Sequence, residues 1–414
     1  MHEKLLEEKR CAWYTLIKKA AKSRGENGGK AMNPFRKFKV AVIGCGMISD
    51  TYLGNLCSKE CGAKHMFEAV EVVGCSDIVP ERSKAKSEKY GIKMMTNEEI
   101  YADPDIDIVL NLTYHTSHFE VSKNALLAGK HVYSEKMMAI TFEEGKELMR
   151  IAKEKGLLFC GAPDTYLGPA GQTAREAFDA GLIGTPVAGN AAVVRGYHHE
   201  RYRTDPERRF AFRPGGGIMY DMGCYYLGTM ISLLGPIKRV CGFSQTRGAN
   251  DRIYANPQNP EYGKVMKIET PNNVGGVMLF ENGTIMTFTT SSESVNYTTD
   301  FVIHGTKGRL TLHDPNNFSG DIKVFTAFGD EKVLPVNFPE TSRGVGLADM
   351  CYAIANGREP RASGERALHM LEAATAIMNC ADGDGKIYDM TTTCTRPAAF
   401  ESGMNGFAEM LLDI

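Results

Sequence analysis

A chain of 414 residues is long enough for about two domains. It is 43% apolar and 24% charged, with 48 basic and 50 acidic residues and a formal charge of −2, which suits a soluble globular protein. That balance lacks the basic excess of a nucleic-acid or membrane-surface binder, and no run of about 20 apolar residues marks a membrane span.

Residues 4–22 carry Leu6, Trp13, Leu16, Ile17 and Ala20 on one stripe opposite lysines and glutamates, which predicts an amphipathic helix. The stretch 1–36 is read as an N-terminal extension, either frayed or packed on a neighbouring subunit, and its layout is not that of a secretory signal. The 11 cysteines are odd in number and scattered, several in apolar runs (Cys45, Cys75, Cys160), as in a reduced cytoplasmic protein. Cys57 and Cys61 have no partnering Cys or His pair nearby, so no metal site is expected.

From residue 37 to 162 the pattern is strand, helix, strand. "FKVAVIG", "VEVVGCSD", "IDIVLNLT", "HVYSEK" and "LLFCGAP" are predicted strands apolar on both sides, with "HFEVSKNALLAG" and "TFEEGKELMRIAKEKG" as helices between them. That alternation predicts an α/β domain whose parallel sheet is covered by helices on both faces.

The first strand runs into "GCGMIS". Gly44 suits the tight turn and Gly46 suits close approach to a pyrophosphate. Met47 and Ile48 then open a helix whose free amides face the anion, while Ser49 takes the place of a third small residue against the strand. The second strand ends at Asp77, an acid that can accept from the ribose hydroxyls and repel a 2′-phosphate, favouring NAD over NADP. Its alternative role is a plain helix cap, and Arg82 nearby keeps NADP in view. "CSKECGAKHMFEA" reads as an insertion between the glycine turn and Asp77. Beyond the third strand, Thr113, His115 and His118 stand where parallel sheets bind ligands; each histidine has a structural alternative in the next helix.

From 163 to 414 the chain is read as a second α/β domain for substrate binding and oligomer contacts. "QTAREAFDAGLIG", "LADMCYAIANG" and "GERALHMLEAATAIMNCA" are predicted helices. "PVAGNAAVVRG", "IKRVCGFSQTRG", "NVGGVMLFENGTIMTFTTSSES", "DFVIHGTKGRLTLHD" and "DIKVFTAFG" are predicted strands, with hairpins at "ENG" and "TKG". Within it, "GGGIMYDMGCYYLG" places Asp221 and Tyr225 four residues apart, on one face of a helix; Tyr226 is turned away from them. The approach, "RGYHHERYRTDPERRFAFRPGGG", is rich in hydrogen-bond donors. His198, His199 and Arg213 are candidate sugar contacts there, with a solvated loop as the alternative; Arg343 is a weaker candidate of the same kind.

With "GCGMIS", "AGKHVYSEKM" and "GGGIMYDMGCYY" in that order, residues 38–400 resemble the glucose–fructose oxidoreductase/inositol dehydrogenase/MocA family of NAD(P)-dependent sugar oxidoreductases. The resemblance implies a Rossmann domain followed by an α/β domain with a large open, mostly antiparallel sheet that mediates homo-oligomer contacts. The family's Glu-Lys-Pro signature falls on Glu135, Lys136 and Met137, with methionine in place of proline. Its Asp-x-Gly-x-His ending falls on Asp221 to Tyr225, with tyrosine in place of histidine, as in the branch containing glucose–fructose oxidoreductase. Asp164 stands near a position that often serves the nicotinamide or substrate.

The activity so implied is oxidation of a ring hydroxyl, with C3 as the specific expectation, of a sugar, sugar derivative or glycoside. Lys136 and Tyr225 would act as a coupled proton-transfer pair and Asp221 would orient the lysine or hydrogen-bond a substrate hydroxyl; a lysine cation beside the phenol is expected to lower its pKa. Two alternatives remain open: a glycoside hydrolase or epimerase that recycles bound NAD, and a non-catalytic NAD-binding sensor.

Overall fold

The computed structural model describes residues 37–57, 67–196, 212–246, 251–294, 297–326, 329–336, 341–380 and 386–400. The predicted helix at 4–22, most of the insertion before Asp77, and His198 and His199 lie outside the described residues.

Largely apolar runs make the central strands of the first sheet. Strands β1 (Phe38–Ile43), β2 (Val70–Ser76), β3 (Lys93–Met94), β4 (Ile108–Asn111), β5 (His131–Ser134) and β6 (Phe159–Gly161) are all parallel. Their order is β3-β2-β1-β4-β5-β6, the doubly wound arrangement in which the chain reverses direction between β1 and β4. Helices α1 (Met47–Leu56), α2 (Pro80–Tyr90), α3 (Asn97–Ala102), α4 (His115–Leu127) and α5 (Phe142–Lys155) make the crossovers. Reciprocal capping boxes start two of them, Thr96 with Glu99 and Thr141 with Glu144, each satisfying amides that the first turn would leave bare.

After helix α6 (Pro169–Asp179) comes strand β7 (Pro186–Val194). A π-helical turn, Met219–Gly223, leads directly into helix α7 (Cys224–Leu234). Strand β8 (Ile237–Gln245) follows, then a two-stranded ribbon of β9 (Asp251–Ile253) and β10 (Val265–Lys267). The remaining strands are β11 (Asn273–Phe280), β12 (Ile285–Ser291), β13 (Thr298–Gly305), β14 (Gly308–Thr311), β15 (Lys323–Thr326) and β16 (Lys332–Val333). Helices α8 (Val345–Asn356) and α9 (Gly364–Asn379) and strand β17 (Tyr388–Asp389) complete the order.

The second sheet has nine strands in the order β16-β15-β14-β13-β7-β12-β11-β8-β17. Its pairings are antiparallel except β7 with β12. Strand β12 alternates exposed and buried residues, as a sheet with one covered face requires. Helix α7 lies on that face, and Tyr226 stacks between Phe288 at 5.5 Å and Phe301 at 5.8 Å while donating to Asp314 Oδ1. The tyrosine that the helical period turned away from Tyr225 is thus a core residue.

Two late helices tie the sheets together. Helix α9 packs on β8 and also on α5 and β6. Helix α8 buries Val345, Leu347, Ala348, Met350 and Cys351 in the cluster that holds Phe38, Val40, Tyr52 and Tyr133 of the first sheet and its first helix. A segment late in the sequence therefore completes the core beneath the first sheet and carries its own N-terminal loop to the C-terminal end of α1, where Asn55 donates to Arg343 O.

Candidate cofactor and catalytic site

A cleft of about 450 Å³ opens at the C-terminal ends of β1, β4 and β5, where the strand order reverses. Gly46, Met47, Ile48, Thr113, His115, His118, Glu135, Lys136 and Tyr225 line it, together with Cys45, Asp50, Arg82, Lys86, Leu112 and Tyr114.

The glycine turn does two different jobs. Gly44 has φ +102°, and a Cβ there would lie 2.5–2.6 Å from backbone atoms of Leu112 and Thr113. The residue is needed to let β1 pass under the exit of β4. Gly46 has φ −71°, and a Cβ there would meet nothing within 4 Å. Its Cα faces open cleft at the start of α1, and no side chain caps that helix. A helix start that no side chain caps, beside a space that a Cβ would fill, suits a pyrophosphate. Ser49 is fully buried, donating from Oγ to Gly46 O at 2.5 Å, so it braces the turn from beneath.

Asp77 braces the glycine turn rather than capping α2, whose N-cap is Val79 with no side-chain hydrogen bond. Its Oδ2 accepts from Cys45 N–H at 2.6 Å and its Oδ1 from Val79 N–H at 2.8 Å, so it joins the glycine turn to the start of α2. Arg82 and Lys86 line the same end of the cleft, where Lys86 pairs with Asp50 at 2.5 Å.

Both histidines lie on the wall. His115 Nε2 sits 3.3 Å from Pro214 O; burial first, then His118, push its pKa down to about 4. Gly215 follows with φ +83°, and a Cβ there would press within 2.9 Å of the His115 ring and 2.7 Å of Ile140. The first glycine of the triplet thus lets the second domain close onto the cofactor cleft. The two ring nitrogens of His118 face Met137 O at 2.6 Å and Thr113 O at 2.9 Å, joining the exits of β5 and β4.

At the other end of the cleft Lys136 meets the second domain. Its Nζ donates to Asp221 Oδ1 at 2.8 Å and to Asp221 O at 3.0 Å, and lies 5.4 Å from the centroid of the Tyr225 ring. Asp221 lies within the π turn, while Tyr225 is in the first turn of α7; such turns recur at functional sites. The Lys136–Met137 peptide is cis. Burial alone would lower the Lys136 pKa, but the Asp221 carboxylate and then Tyr225 outweigh it and hold the ammonium well above its ordinary range. For Tyr225 the expected lowering is overturned. Burial raises the phenol pKa and wins over Lys136 and Arg343, which pull it down.

Glu135 is buried beside them. It accepts from Tyr52 Oη at 2.8 Å, and its pKa is lowered because Arg343 and Lys136 outweigh the burial that would raise it.

Asp164 does not face the cleft. It is fully buried, and its Oδ2 accepts from the amides of Gly344 at 3.3 Å and Gly346 at 3.1 Å, so it holds a loop rather than a ligand. Arg213 is exposed and its carbonyl accepts from Gly216 N–H; it is not among the cleft residues. Arg343 is not a loose surface donor. Its Nη2 donates to Tyr225 Oη at 2.8 Å and its guanidinium lies 5.2 Å from the ring centroid. Tyr52 and Arg343 reach the site from positions 83 residues before Glu135 and 118 residues after Tyr225. Arg343 was a candidate from the sequence as a donor in "SRGVGLADM", whereas nothing there singled out Tyr52.

The strand order, the glycine turn and the cleft define a dinucleotide-binding oxidoreductase with a second, sheet-based domain. Residues 38–161 match the oxidoreductase family described by an NAD-binding Rossmann fold, and residues 172–311 match the GFO/IDH/MocA C-terminal domain. The chain belongs to the GFO/IDH/MocA family of NAD-binding sugar oxidoreductases.

Among its relatives is the 1,5-anhydro-D-fructose reductase of Ensifer adhaerens, 28% identical over 322 residues, which cover 75% of this chain and 89% of that protein. Another is the NAD(+) scyllo-inositol 2-dehydrogenase of Bacillus subtilis (strain 168), 26% identical over 235 residues, 55% of this chain and 61% of that one. Levoglucosan dehydrogenase in complex with NADH shares the fold with a TM-score of 0.72 at 19% identity, covering 86% of this chain and all of the other. Among the described residues no helix is long and apolar enough to cross a membrane.

Proposed function

We propose that the protein is an NAD-dependent dehydrogenase that interconverts a secondary ring hydroxyl of a sugar, sugar derivative or glycoside with the corresponding ketone. The observation that carries this reading is the convergence of Lys136, Asp221 and Tyr225 at one end of a cleft whose other end is the glycine turn. The similarity to a sugar reductase over 75% of the chain supports a carbohydrate substrate.

NAD, when bound, supplies the acceptor for the hydride that leaves carbon. Gly46 and the first amides of α1 would hold its pyrophosphate, with Thr113, His115 and His118 forming the wall behind. Asp77 keeps the glycine turn in register with α2, and its carboxylate favours NAD over NADP.

Lys136 and Tyr225 handle charge at the substrate oxygen. Two of the ammonium's hydrogens are committed to Asp221, leaving one to donate to that oxygen. Held as a cation, Lys136 stabilises an oxyanion, and the Tyr225 hydroxyl beside it is the group that moves the proton.

The test is a screen of free sugars against O- and C-glycosides with NAD, read by reduced-cofactor absorbance, with product analysis to locate the oxidised carbon. Turnover of at least one carbohydrate is expected. NAD binding without turnover of any of them, with or without NAD exchange, would overturn the reading.

A further inference from the structure

We propose that Arg343 is a positioning residue for Tyr225, fixed by Asp164, and that it turns the Tyr225 hydroxyl proton toward the cleft. The proposal rests on the reading of Tyr225 as the proton-transfer group.

A guanidinium donates and cannot accept. The 2.8 Å contact from Arg343 Nη2 therefore makes Tyr225 Oη an acceptor, so the phenol's own O–H points away from Arg343. Tyr225 lines the cleft, and its ring lies near two cations, Lys136 at 5.4 Å and Arg343 at 5.2 Å. Lys136 is tied to the Asp221 carboxylate, whereas Arg343 hydrogen-bonds the phenol oxygen itself. That bond strengthens when the oxygen is charged. In the oxidising direction the Tyr225 phenol first loses its own proton to solvent through the cleft it lines; the substrate hydroxyl proton then passes to the phenolate oxygen as the carbonyl forms and the hydride leaves carbon for the nicotinamide acceptor. In the reducing direction the phenol returns that proton to the carbonyl oxygen.

Arg343 is held from three sides. Its carbonyl accepts from Asn55 Nδ2 of α1 at 2.8 Å. Asp164, just beyond β6, accepts the amides of Gly344 and Gly346 and places Oδ1 3.8 Å from Arg343 Nη1. That is an ion-pair distance, longer than a hydrogen bond, and neither atom has a hydrogen-bond partner. A Cβ on Gly346 would fall 2.4 Å from Tyr133 Oη and 3.0 Å from Asp164 Cβ, so the loop is seated closely against both. These contacts fix the arginine relative to the first sheet while its fork reaches a tyrosine of the second domain.

The test titrates Tyr225 in the full-length protein without cofactor. Tyrosinate absorbance is followed against pH, and subtraction of Tyr225→Phe isolates one phenol among 17 tyrosines. The pairs are then repeated with Arg343→Gln and Arg343→Lys. Arg343→Gln is expected to move the Tyr225 titration to higher pH, because the cation that favours the phenolate is gone. Arg343→Lys is expected to fall between it and the wild type, and carries the test by the same direction of shift if the glutamine variant does not fold.

A parallel reading uses nitration by tetranitromethane, which consumes phenolate, resolved by peptide mass spectrometry. Tyr225 nitration should slow several-fold in either variant. An unmoved titration and nitration rate in a folded variant would overturn the proposal. If instead Tyr225→Phe keeps full turnover while Arg343→Gln still shifts the titration, the functional role of Tyr225 fails and the positioning stands.

Discussion

Alanine at Gly44 and alanine at Gly46, two residues apart, should give opposite phenotypes. At Gly44 the backbone is left-handed and the new methyl would sit 2.5 Å from Leu112 C, 2.6 Å from Leu112 O and 2.6 Å from Thr113 N. The opposing atoms are backbone and cannot swing aside as a side chain would. The left-handed conformation costs about 1–2 kcal/mol and overpacking about 1–3 kcal/mol, so Gly44→Ala should lose about 2–5 kcal/mol of stability. At Gly46 the backbone is extended, φ −71° and ψ −167°, and the methyl meets nothing. Stability should stay within about 1 kcal/mol of wild type. The methyl instead occupies the space assigned to the pyrophosphate. A steric penalty of about 1–3 kcal/mol there weakens NAD binding roughly 5- to 150-fold. Urea unfolding and NADH fluorescence titration separate the two. A Gly44→Ala protein as stable as wild type, or a Gly46→Ala protein with wild-type NAD affinity, would refute the division of labour in the turn.

Three further outcomes follow from the geometry. Asp221→Asn should cost about 1–3 kcal/mol at neutral pH, since it weakens a charge-assisted hydrogen bond at 2.8 Å. Because Asp221 raises the Lys136 pKa above its unfolded value, this contribution is present below about pH 10 and is lost as pH rises through the higher folded pKa. The difference between the two proteins in urea should therefore shrink in strong alkali; a constant difference would contradict the pairing. His369 accepts from Ile237 N–H at Nε2 and faces Thr392 Oγ1 with Nδ1, and burial pushes its pKa from 6.5 down to about 4. Stability from keeping it neutral is full above pH 6.5 and declines as pH falls toward 4, so His369→Gln should flatten the acid limb of the urea-midpoint profile. Asp77→Ala should weaken NAD binding, since it frees the Cys45 and Val79 amides, and should narrow the ratio of NADP to NAD dissociation constants. An unchanged ratio would remove Asp77 from cofactor choice.

The parts of the fold visible in the sequence were those where one residue pattern has one physical outcome. Strands such as "FKVAVI" and "IVLN", apolar on both sides, could only be central and covered, and they are. The "ENG" and "TKG" turns fall where β11 meets β12 and β13 meets β14. Two-residue strands such as Lys93–Met94 and Lys332–Val333 carry no period and were not seen. Helix α8 was recognised as a helix, but its apolar residues do not say which sheet they cover, and its packing beneath β1 became plain only in three dimensions.

The candidate site divides along the same line. Lys136, Asp221 and Tyr225 belong to short ordered motifs, and the lysine's position beyond a parallel strand already implied the crevice. Asp164 and Arg343 were each seen singly as candidate ligand contacts. Their joint role depends on the amides of Gly344 and Gly346 folding back onto a residue 180 and 182 positions earlier, which no local pattern encodes. The sign of the Tyr225 shift was missed for a related reason. The two cations were inferable, but the depth of burial that outweighs them comes from packing.

Substitution of Lys136 tests the assignment of this end of the cleft most directly. NADH affinity and steady-state turnover of a carbohydrate substrate are measured together for the wild type and Lys136→Met. The expected result is a dissociation constant for NADH within a few-fold of wild type and a turnover number lower by about 10²- to 10⁴-fold, the usual worth of a positioned proton-transfer or oxyanion-stabilising group. A Lys136→Met protein that binds NADH and turns over carbohydrate at the wild-type rate would contradict it.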